Sequence, residues 1–199
     1  AMEVKPFKYD PELIHGGDSW ARAPGIYGNY TGMKDLEHPE CDCRGENGPF
    51  PIFSLNTVLI RYADVLLWKA EALIELDRWA EATPIINRLR ERAAGSTERL
   101  NGASLYRIGT YDTFDSKAEA RQALRWERRV ELGLEGHRFF DLVRWGIAKE
   151  TIDEYLLTER GRKPYLEDAA FTKNKHESLP IPNQQINLSG GIYEQNPGY

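Results

Sequence analysis

The sequence offers little to support a role inside a membrane or on nucleic acid. No uninterrupted apolar run approaches the roughly 20 residues that span a bilayer. Positive charge is not in excess, because 26 lysines and arginines stand against 31 aspartates and glutamates, for a formal net charge of −5. Contacts with phosphates need concentrated lysine and arginine, so we expect no nucleic-acid ligand. The chain also lacks a basic start followed by a short apolar stretch, so no signal peptide is visible.

Cysteine is scarce as well, with only Cys41 and Cys43, which one residue separates. A disulfide across one intervening residue is strained, and the segment from His38 to Cys43 offers three plausible zinc ligands without an obvious fourth. Nearby carboxylates offer oxygen ligands for calcium but lack a regular ligand spacing. These carboxylates are Asp35, Glu37, Glu40, Asp42 and Glu46. We predict no bound metal and no cofactor.

Turn-forming residues are unevenly distributed along the chain. Most of its 17 glycines and 11 prolines fall in residues 1–56 and 158–199, whereas the middle is periodic. No helical or strand period survives among the breakers of residues 5–55, although the aromatic side chains there argue against simple disorder. We therefore predict a loop-rich arm, residues 1–56, that can present a ligand-facing surface. A helical domain, residues 57–199, follows it.

Two helices are predicted at the start of that domain. Asn56 or Thr57 can cap the first helix, Asp77 can cap the second, and Gly95 ends it. The predicted core stripe of the first helix is Leu59, Tyr62, Leu66, Ala70 and Leu73, with Asp64, Lys69, Glu71 and Glu75 facing water. Two antiparallel helices in just under forty residues indicate a tetratricopeptide-like hairpin. The predicted fold class is all-α.

A capping box at Ser116 and Glu119 opens a further helix. This helix leads into the charged stretch ERRVELGLEGHRFFDLVRWG, residues 127–146. We predict that residues 127–144 are largely helical and that charges three or four residues apart neutralise one another. The charges are those of Arg128, Glu131, Glu135, Arg138, Asp141 and Arg144. A short helix up to Gly161 and an extended tail from Pro164 complete the predicted fold.

An acid–base enzyme is the alternative interpretation of this stretch. Glu127 and Glu131 would lie about 6 Å apart on one helix face, a separation that suits paired catalytic carboxylates. Such a pair needs an open cleft and one carboxyl of raised pKa, whereas flanking arginines are expected to lower the pKa of both. His137 has no nucleophile beside it in the sequence. We predict that the stretch is structural and that the protein is not an enzyme.

The same stretch resembles the hallmark helix of the SusD/RagB family of outer-membrane nutrient-binding lipoproteins. Further segments resemble other motifs of that family in the expected order: residues 60–67 with 69–72, residues 86–93, residues 179–182 and residues 195–199. The similarity covers residues 57–199, the C-terminal part of a family member. It implies an α-helical, non-catalytic protein that binds glycans or peptides on the outer-membrane surface. It also implies a lipid anchor outside this chain and a TonB-dependent transporter as partner.

The ligand site is predicted in the loop-rich arm. Sites for sugars combine a flat aromatic ring with a few polar side chains, and one part of the arm has that mixture. Its candidate ligand-binding residues are Trp20, Tyr27, Tyr30, Asp18, Arg22 and Asn29. The alternative is that these rings pin the loop to the helices. Tyr106, Tyr111 and Phe114 form a second, weaker candidate surface.

Two other classes of protein stay open on the sequence alone. The helical hairpin is also typical of tetratricopeptide-type adaptors, which bind peptides in a groove. A glycoside hydrolase would depend on Glu127 and Glu131. The identity of the ligand is not specified by any motif.

Overall fold

The computed structural model describes residues 34, 44–47, 50–54, 56–95 and 107–199. These residues form one strand hairpin, a series of α-helices and a short 3-10 helix. In chain order the elements are β1 (Arg44–Asn47), β2 (Phe50–Phe53), α1 (Tyr62–Glu75), α2 (Trp79–Ala94), α3 (Lys117–Glu131), α4 (His137–Arg144), α5 (Ala148–Glu159), the 3-10 helix (Pro164–Leu166) and α6 (Asn183–Leu188). The chain divides into two units, Ala1–Glu135 and Gly136–Tyr199. The predominance of helix confirms the predicted fold class.

The strand hairpin was not predicted. β1 pairs antiparallel with β2, with Arg44 opposite Phe53 and Asn47 opposite Phe50. Residues 48 and 49, a glycine and a proline, stand between the two strands in the sequence. Pro51 lies within β2. Both strands of a two-stranded ribbon are edge strands, where proline is tolerated, so the expectation that no strand occurs in residues 5–55 was wrong.

The core of the first unit lies between α1, α2 and α3. Each helix contributes one apolar face, and Ala70 and Ala82 allow α1 and α2 to approach closely. The buried apolar residues of this core are Ala63, Leu67, Ala70, Leu73, Ile74, Ala82, Ile86, Leu89, Phe114, Ala120, Ala123, Leu124 and Leu132. The antiparallel pair α1–α2 is the helical hairpin that the sequence predicts, and α3 covers one side of it.

Helix α1 begins later than the sequence indicates. Neither Asn56 nor Thr57 caps it, because the first helical residue is Tyr62 and Arg61 occupies the N-cap position without a side-chain bond. Branched residues such as Val58 lower the helix propensity of the segment just before it. The predicted core stripe was also wrong in this half of the helix. Leu59 is 86% exposed and Tyr62 is 63% exposed, so neither contributes to the core.

Helix α2 ends as predicted and begins slightly differently. Gly95 is its C-cap, as expected. Asp77 is not the N-cap, since it lies in the preceding turn with a φ of 62° and Arg78 holds the cap position. The helix runs through Pro84, which is exposed, so the missing backbone donor of the proline lies on the solvent side.

The predicted capping box of α3 is present. The Ser116 hydroxyl accepts a hydrogen bond from the backbone N–H of Glu119 at 3.2 Å. The Glu119 carboxylate accepts in return from the backbone N–H of Asp115 at 2.7 Å. Both bonds satisfy donors at a helix start that have no partner within the helix.

We expect Ser116→Ala to lower the free energy of unfolding by about 1 kcal/mol, because the Glu119 N–H loses its side-chain acceptor. Urea unfolding followed by circular dichroism measures this change. Thr113→Ala is the control, since Thr113 is exposed and lies outside the cap. Equal stability losses in the two variants would show that the cap contributes nothing specific.

The charged stretch does not form one helix. Helix α3 ends at Glu131 and α4 begins at His137. Leu134, with a φ of 68°, and Gly136, with a φ of 81°, turn the chain between them. Glycine adopts the left-handed conformation at little cost, and Gly136 holds the N-cap position of α4. The prediction that residues 127–144 are largely helical is confirmed for residues 127–131 and 137–144, and the turn between them coincides with the two glycines of the stretch, Gly133 and Gly136.

The second unit has its own small core. Leu142 of α4, Ala148 of α5 and Phe171 are buried together. The predicted helix up to Gly161 is confirmed as α5, which ends at Glu159. The tail is not simply extended, because the 3-10 helix and α6 form within it. Pro164 and Pro182 stand at the starts of these two helices, where a missing N–H costs nothing.

The two C-terminal segments that resemble family motifs contact each other. The side-chain amide of Gln195 accepts from the N–H of Ile181 at 2.8 Å and donates to its carbonyl at 2.9 Å. The Asn196 amide donates to the carbonyl of Leu179 at 2.6 Å. The Tyr199 hydroxyl donates to the carbonyl of Ser178 at 3.0 Å. These motifs therefore hold the tail in place within the second unit.

Candidate functional site

Buried ion pairs connect the three helices of the first unit. Arg128 of α3 donates to the carboxylate of Asp64 in α1, with 2.8 Å between Nη1 and Oδ1. Both side chains are 2% exposed. Arg90 of α2 donates to Glu127 of α3 across 2.9 Å. The prediction that Asp64 faces water was wrong, because its side chain is buried. A buried carboxylate is tolerated when a charged partner accompanies it, and Arg128 is that partner here.

Glu131 and Glu135 bind basic side chains from α2 and from the segment before α1. Glu131 accepts from Arg61 at 3.0 Å and from Arg92 at 2.6 Å. Glu135 accepts from the Arg61 Nε at 2.7 Å and also from the ammonium group of Lys34. These partners lie more than 30 positions away in the sequence.

The predicted neutralisation along the charged stretch therefore needs correction. It is present between Asp141 and Arg144, which lie three residues apart with 2.9 Å between their charged atoms. The carboxylates near the end of α3, in contrast, are paired across the helices of the first unit. Their role as packing contacts is as predicted, but their partners come from α2 and from the segment before α1.

The pKa values of Glu127 and Glu135 shift in opposite directions. Burial raises the pKa of Glu127, and the hydrogen bond from Arg90 offsets this only in part. Burial also acts to raise the pKa of Glu135, but hydrogen bonds from Arg61 and Lys34 outweigh it and hold the pKa below its ordinary value. The expectation that arginines lower both values of the Glu127–Glu131 pair was wrong for Glu127, where desolvation is the larger effect.

The geometry gives Glu127 and Glu131 no open cleft in which to act. Glu127 is 3% exposed and Glu131 is 1% exposed. Each carboxylate already accepts hydrogen bonds from arginine. A pair of catalytic carboxylates must reach substrate and water, and these two groups reach neighbouring helices instead.

A solvent-facing recess lies beside these ion pairs. It has a volume of about 450 Å³ and is formed by residues of α1 and α2 together with Arg61. Its lining residues are Arg61, Tyr62, Ala63, Leu66, Arg88, Leu89 and Arg92. We refer to this feature as the Tyr62 recess. Its volume falls in the range of small-molecule sites, roughly 300–1,000 Å³.

Aromatic, apolar and cationic groups meet in the Tyr62 recess. The guanidinium of Arg88 lies over the Tyr62 ring, 5.4 Å from its centroid. Leu66 and Leu89 supply apolar lining. The Arg92 side chain is 56% exposed although it binds Glu131. The recess thus combines a flat ring with polar side chains. The same combination was predicted for a ligand site in the loop-rich arm.

A second exposed ring lies on α3. The guanidinium of Arg129 is 5.6 Å from the centre of the Trp126 ring. A nearby surface hollow of about 470 Å³ is lined by Ala118, Arg121, Gln122 and Arg125. Arg121 in this hollow is already bound to the carboxylate of Glu75, with 2.6 Å from Nε to Oε1. The Arg129–Trp126 contact is of the same kind as the Arg88–Tyr62 contact of the Tyr62 recess. Substitutions at Trp126 and Arg129 can therefore serve as controls for substitutions in the recess.

The six predicted ligand-binding residues of the arm lie outside the described residues. They are Trp20, Tyr27, Tyr30, Asp18, Arg22 and Asn29. Tyr106, Cys41 and Cys43 lie outside them too, as do four of the five carboxylates considered for calcium. Glu46, the fifth, lies in β1.

The second candidate surface does not hold for its described members. Phe114 is 3% exposed and belongs to the core of the first unit. The Tyr111 ring packs against it, with 5.1 Å between ring centres. Asn87 holds the backbone of Tyr111 through hydrogen bonds of 2.7 and 2.8 Å. These contacts fix the segment before α3 to the helices of the first unit.

Sequence reasoning missed the Tyr62 recess because it assigned Tyr62 to the core. Arg88 and Arg92 stand four residues apart on α2, a spacing that places two guanidinium groups on one face. That spacing was the available signal. It does not show which residue of another helix the two arginines face.

The described residues contain neither a membrane-spanning helix nor a cluster of metal ligands. None of the helices resolved there is both long enough and apolar enough to cross a membrane. Within the same residues, no group of three or more histidines, cysteines, aspartates or glutamates has the geometry of a metal site.

Comparisons with known proteins place the chain in a family. The model of the SusD family matches residues 53–199. SusD-like protein P25 of Formosa agariphila is 31% identical over 193 residues, which cover 92% of this chain and 33% of that protein. SusD-like protein P2 of the same organism is 32% identical over 147 residues, covering 73% of this chain and 26% of that protein.

A solved structure shows the same relationship. The crystal structure of a SusD homolog from Bacteroides thetaiotaomicron has a TM-score of 0.56 and 33% sequence identity over 71% of this chain and 26% of its own. The chain belongs to the SusD family. It spans about a third or less of the length of these curated relatives.

Proposed function

We propose that the chain is part of a non-catalytic carbohydrate-binding protein on the outer-membrane surface. In this proposal the protein captures oligosaccharides and delivers them to a TonB-dependent transporter, and a lipid anchor outside this chain holds it at the membrane. Membership of the SusD family is the observation that carries the proposal. The resemblance of residues 57–199 to that family implies the same activity and the same partner.

The ion pairs of the first unit support a binding role over a hydrolytic one. The carboxylates that a glycoside hydrolase would need, Glu127 and Glu131, are buried and bound to arginines. Opening them to substrate would break contacts that join α3 to α2 and to Arg61. Purified protein incubated with oligosaccharides should therefore release no reducing sugar, and measurable release would contradict this part of the proposal.

We propose the loop-rich arm, residues 1–56, as the main glycan-contacting region, with residues 57–199 as the helical domain that supports it. Trp20, Tyr27 and Tyr30 would stack on sugar rings, and Asp18, Arg22 and Asn29 would hydrogen-bond their hydroxyl groups. Apolar sugar faces pack well on aromatic rings, and hydroxyl rims need donors and acceptors.

Trp20→Ala tests this site. We expect the variant to lose binding of the recognised oligosaccharide, a reduction of about tenfold or more, because a stacking ring contributes more than 1 kcal/mol. A glycan array identifies the ligand, and isothermal titration calorimetry measures its affinity for the 199-residue chain. Trp126→Ala is the matched control, since Trp126 is 52% exposed on α3 and outside the proposed site. Unchanged affinity in Trp20→Ala would remove Trp20 from the site.

The proposed partner is tested separately. A tagged full-length protein expressed in its own cell should co-purify with a large outer-membrane barrel protein. Recovery of soluble peptide-binding partners in its place would favour the tetratricopeptide-type adaptor.

A further inference from the structure

We propose that the Tyr62 recess binds an acidic sugar residue, with Arg88 and Arg92 holding its carboxylate or sulfate group and Tyr62 contacting its ring. The inference rests on the proposed carbohydrate-binding function and adds a ligand class to it. It concerns a second contact site, lined by Arg61 and by residues of α1 and α2.

Charge is the first argument for an anionic ligand. Three arginines line the recess, namely Arg61, Arg88 and Arg92, and among its described lining residues there is no carboxylate. Two carboxylates behind it, Glu131 and Glu135, neutralise Arg61 and one side of Arg92. Positive charge is therefore left over at the surface, chiefly on Arg88.

The donors of Arg88 and Arg92 form the second argument. Arg88 contacts the Tyr62 ring, and within the described part of the chain it has no carboxylate at ion-pair distance. Arg92 is bound to Glu131 through Nη2 and keeps 56% of its side chain exposed. Guanidinium groups match the planar oxygens of carboxylate and the oxygens of sulfate, often through two parallel hydrogen bonds.

Shape and chemistry of the walls form the third argument. A free inorganic anion would need only the arginines, whereas this recess also presents an exposed tyrosine ring and two leucines. Its volume of about 450 Å³ accommodates more than an ion. A ring with an apolar face and a charged substituent uses all three kinds of group, and an acidic sugar has that form.

The recess is also held in shape before any ligand arrives. The Nε, Nη1 and Nη2 groups of Arg61 all donate hydrogen bonds to Glu131 or Glu135. Glu131 in turn fixes Arg92 from a position that is 1% exposed. Binding groups that are already ordered lose less conformational entropy on association, so the fixed position of Arg92 favours binding.

The test uses matched oligosaccharides and the 199-residue chain. The probes are an oligogalacturonate, the same oligomer with its carboxyl groups methyl-esterified, and a sulfated galacto-oligosaccharide of equal length. We expect at least one acidic probe to bind and the neutral ester to bind about tenfold or more weakly, because charge-assisted hydrogen bonds are lost. Binding should weaken as salt is raised. The comparison of carboxylated and sulfated probes shows which anion the recess takes.

Arg88→Gln should reduce affinity for the acidic probe by about tenfold or more, and Tyr62→Ala should reduce it for both acidic and neutral probes. Arg129→Gln and Trp126→Ala are the controls, because they remove an exposed arginine and ring of the same kind from α3. Full affinity of Arg88→Gln for the acidic probes, or an equal loss in Arg129→Gln, would overturn the inference.

Different binding results would contradict the acidic-sugar inference and the proposed carbohydrate-binding function. If neutral glycans bind through Trp20 and neither acidic probe binds, the acidic-sugar inference is wrong and the carbohydrate-binding function stands. If a glycan array and all three probes give no binding to the wild-type chain, the proposed function fails and the inference fails with it.

Discussion

Replacing Arg128 with methionine is expected to lower the free energy of unfolding by about 3–5 kcal/mol, because it removes the arginine that is ion-paired with the buried carboxylate of Asp64. Arg128 Nη1 lies 2.8 Å from Asp64 Oδ1, and each side chain is 2% exposed. The pair joins α1 to α3 inside the core of the first unit. Urea unfolding followed by circular dichroism measures the loss.

A second variant separates the lost ion pair from the lost arginine stem. In Arg128→Met with Asp64→Leu, both charges of this pair are removed, and much of the stability should return, since apolar pairs of similar volume often replace buried ion pairs at little cost. Arg78→Met is the exposed control, because Arg78 and Glu81 form a pair whose side chains are 53% and 57% exposed. If Arg128→Met costs no more than this control, the Arg128–Asp64 pair does not stabilise the fold.

Features that depend on neighbouring residues could be predicted from the sequence. The capping box at Ser116 needs only Glu119 three residues later; the Ser116 hydroxyl accepts from the Glu119 N–H, and the Glu119 carboxylate accepts from the N–H of Asp115, one residue before the cap. Gly95 ends α2 as expected. The helical hairpin and the helix before Gly161 follow from apolar spacing. Each of these signals lies within one turn or one helix, so no knowledge of the tertiary structure is required.

Features that depend on partners from distant segments could not be predicted. Asp64 is polar and was placed in water, yet Arg128 lies 64 positions along the chain and makes its burial favourable. The end of α3 was missed because Leu134 adopts a positive φ, which the sequence gives no reason to expect of leucine. In both cases the three-dimensional neighbours determine the conformation.

The Tyr62 recess could not be predicted for the same reason, since its residues come from distant segments. Sequence reasoning sought a ring and polar groups close together in the chain, which favoured the loop-rich arm. In the Tyr62 recess the ring and the arginine over it are 26 positions apart and come from two helices. Their proximity results from the antiparallel packing of α1 and α2. A predicted hairpin alone does not specify which faces of the two helices meet.

The second large change in stability is expected from the face of α1 that packs into the core. Leu67→Ala is expected to lower the free energy of unfolding by about 2–5 kcal/mol, since truncating a buried leucine loses transfer free energy and leaves a cavity. Leu67 is 0% exposed in the core of the first unit, whereas its neighbour Leu66 is half-buried and lines the Tyr62 recess. Leu66→Ala should therefore cost clearly less under the same urea titration. The core stripe predicted from the sequence, which includes Leu66 and omits Leu67, requires the opposite order. A larger loss in Leu66→Ala would mean that α1 is rotated relative to the core, which would also remove Tyr62 from the recess.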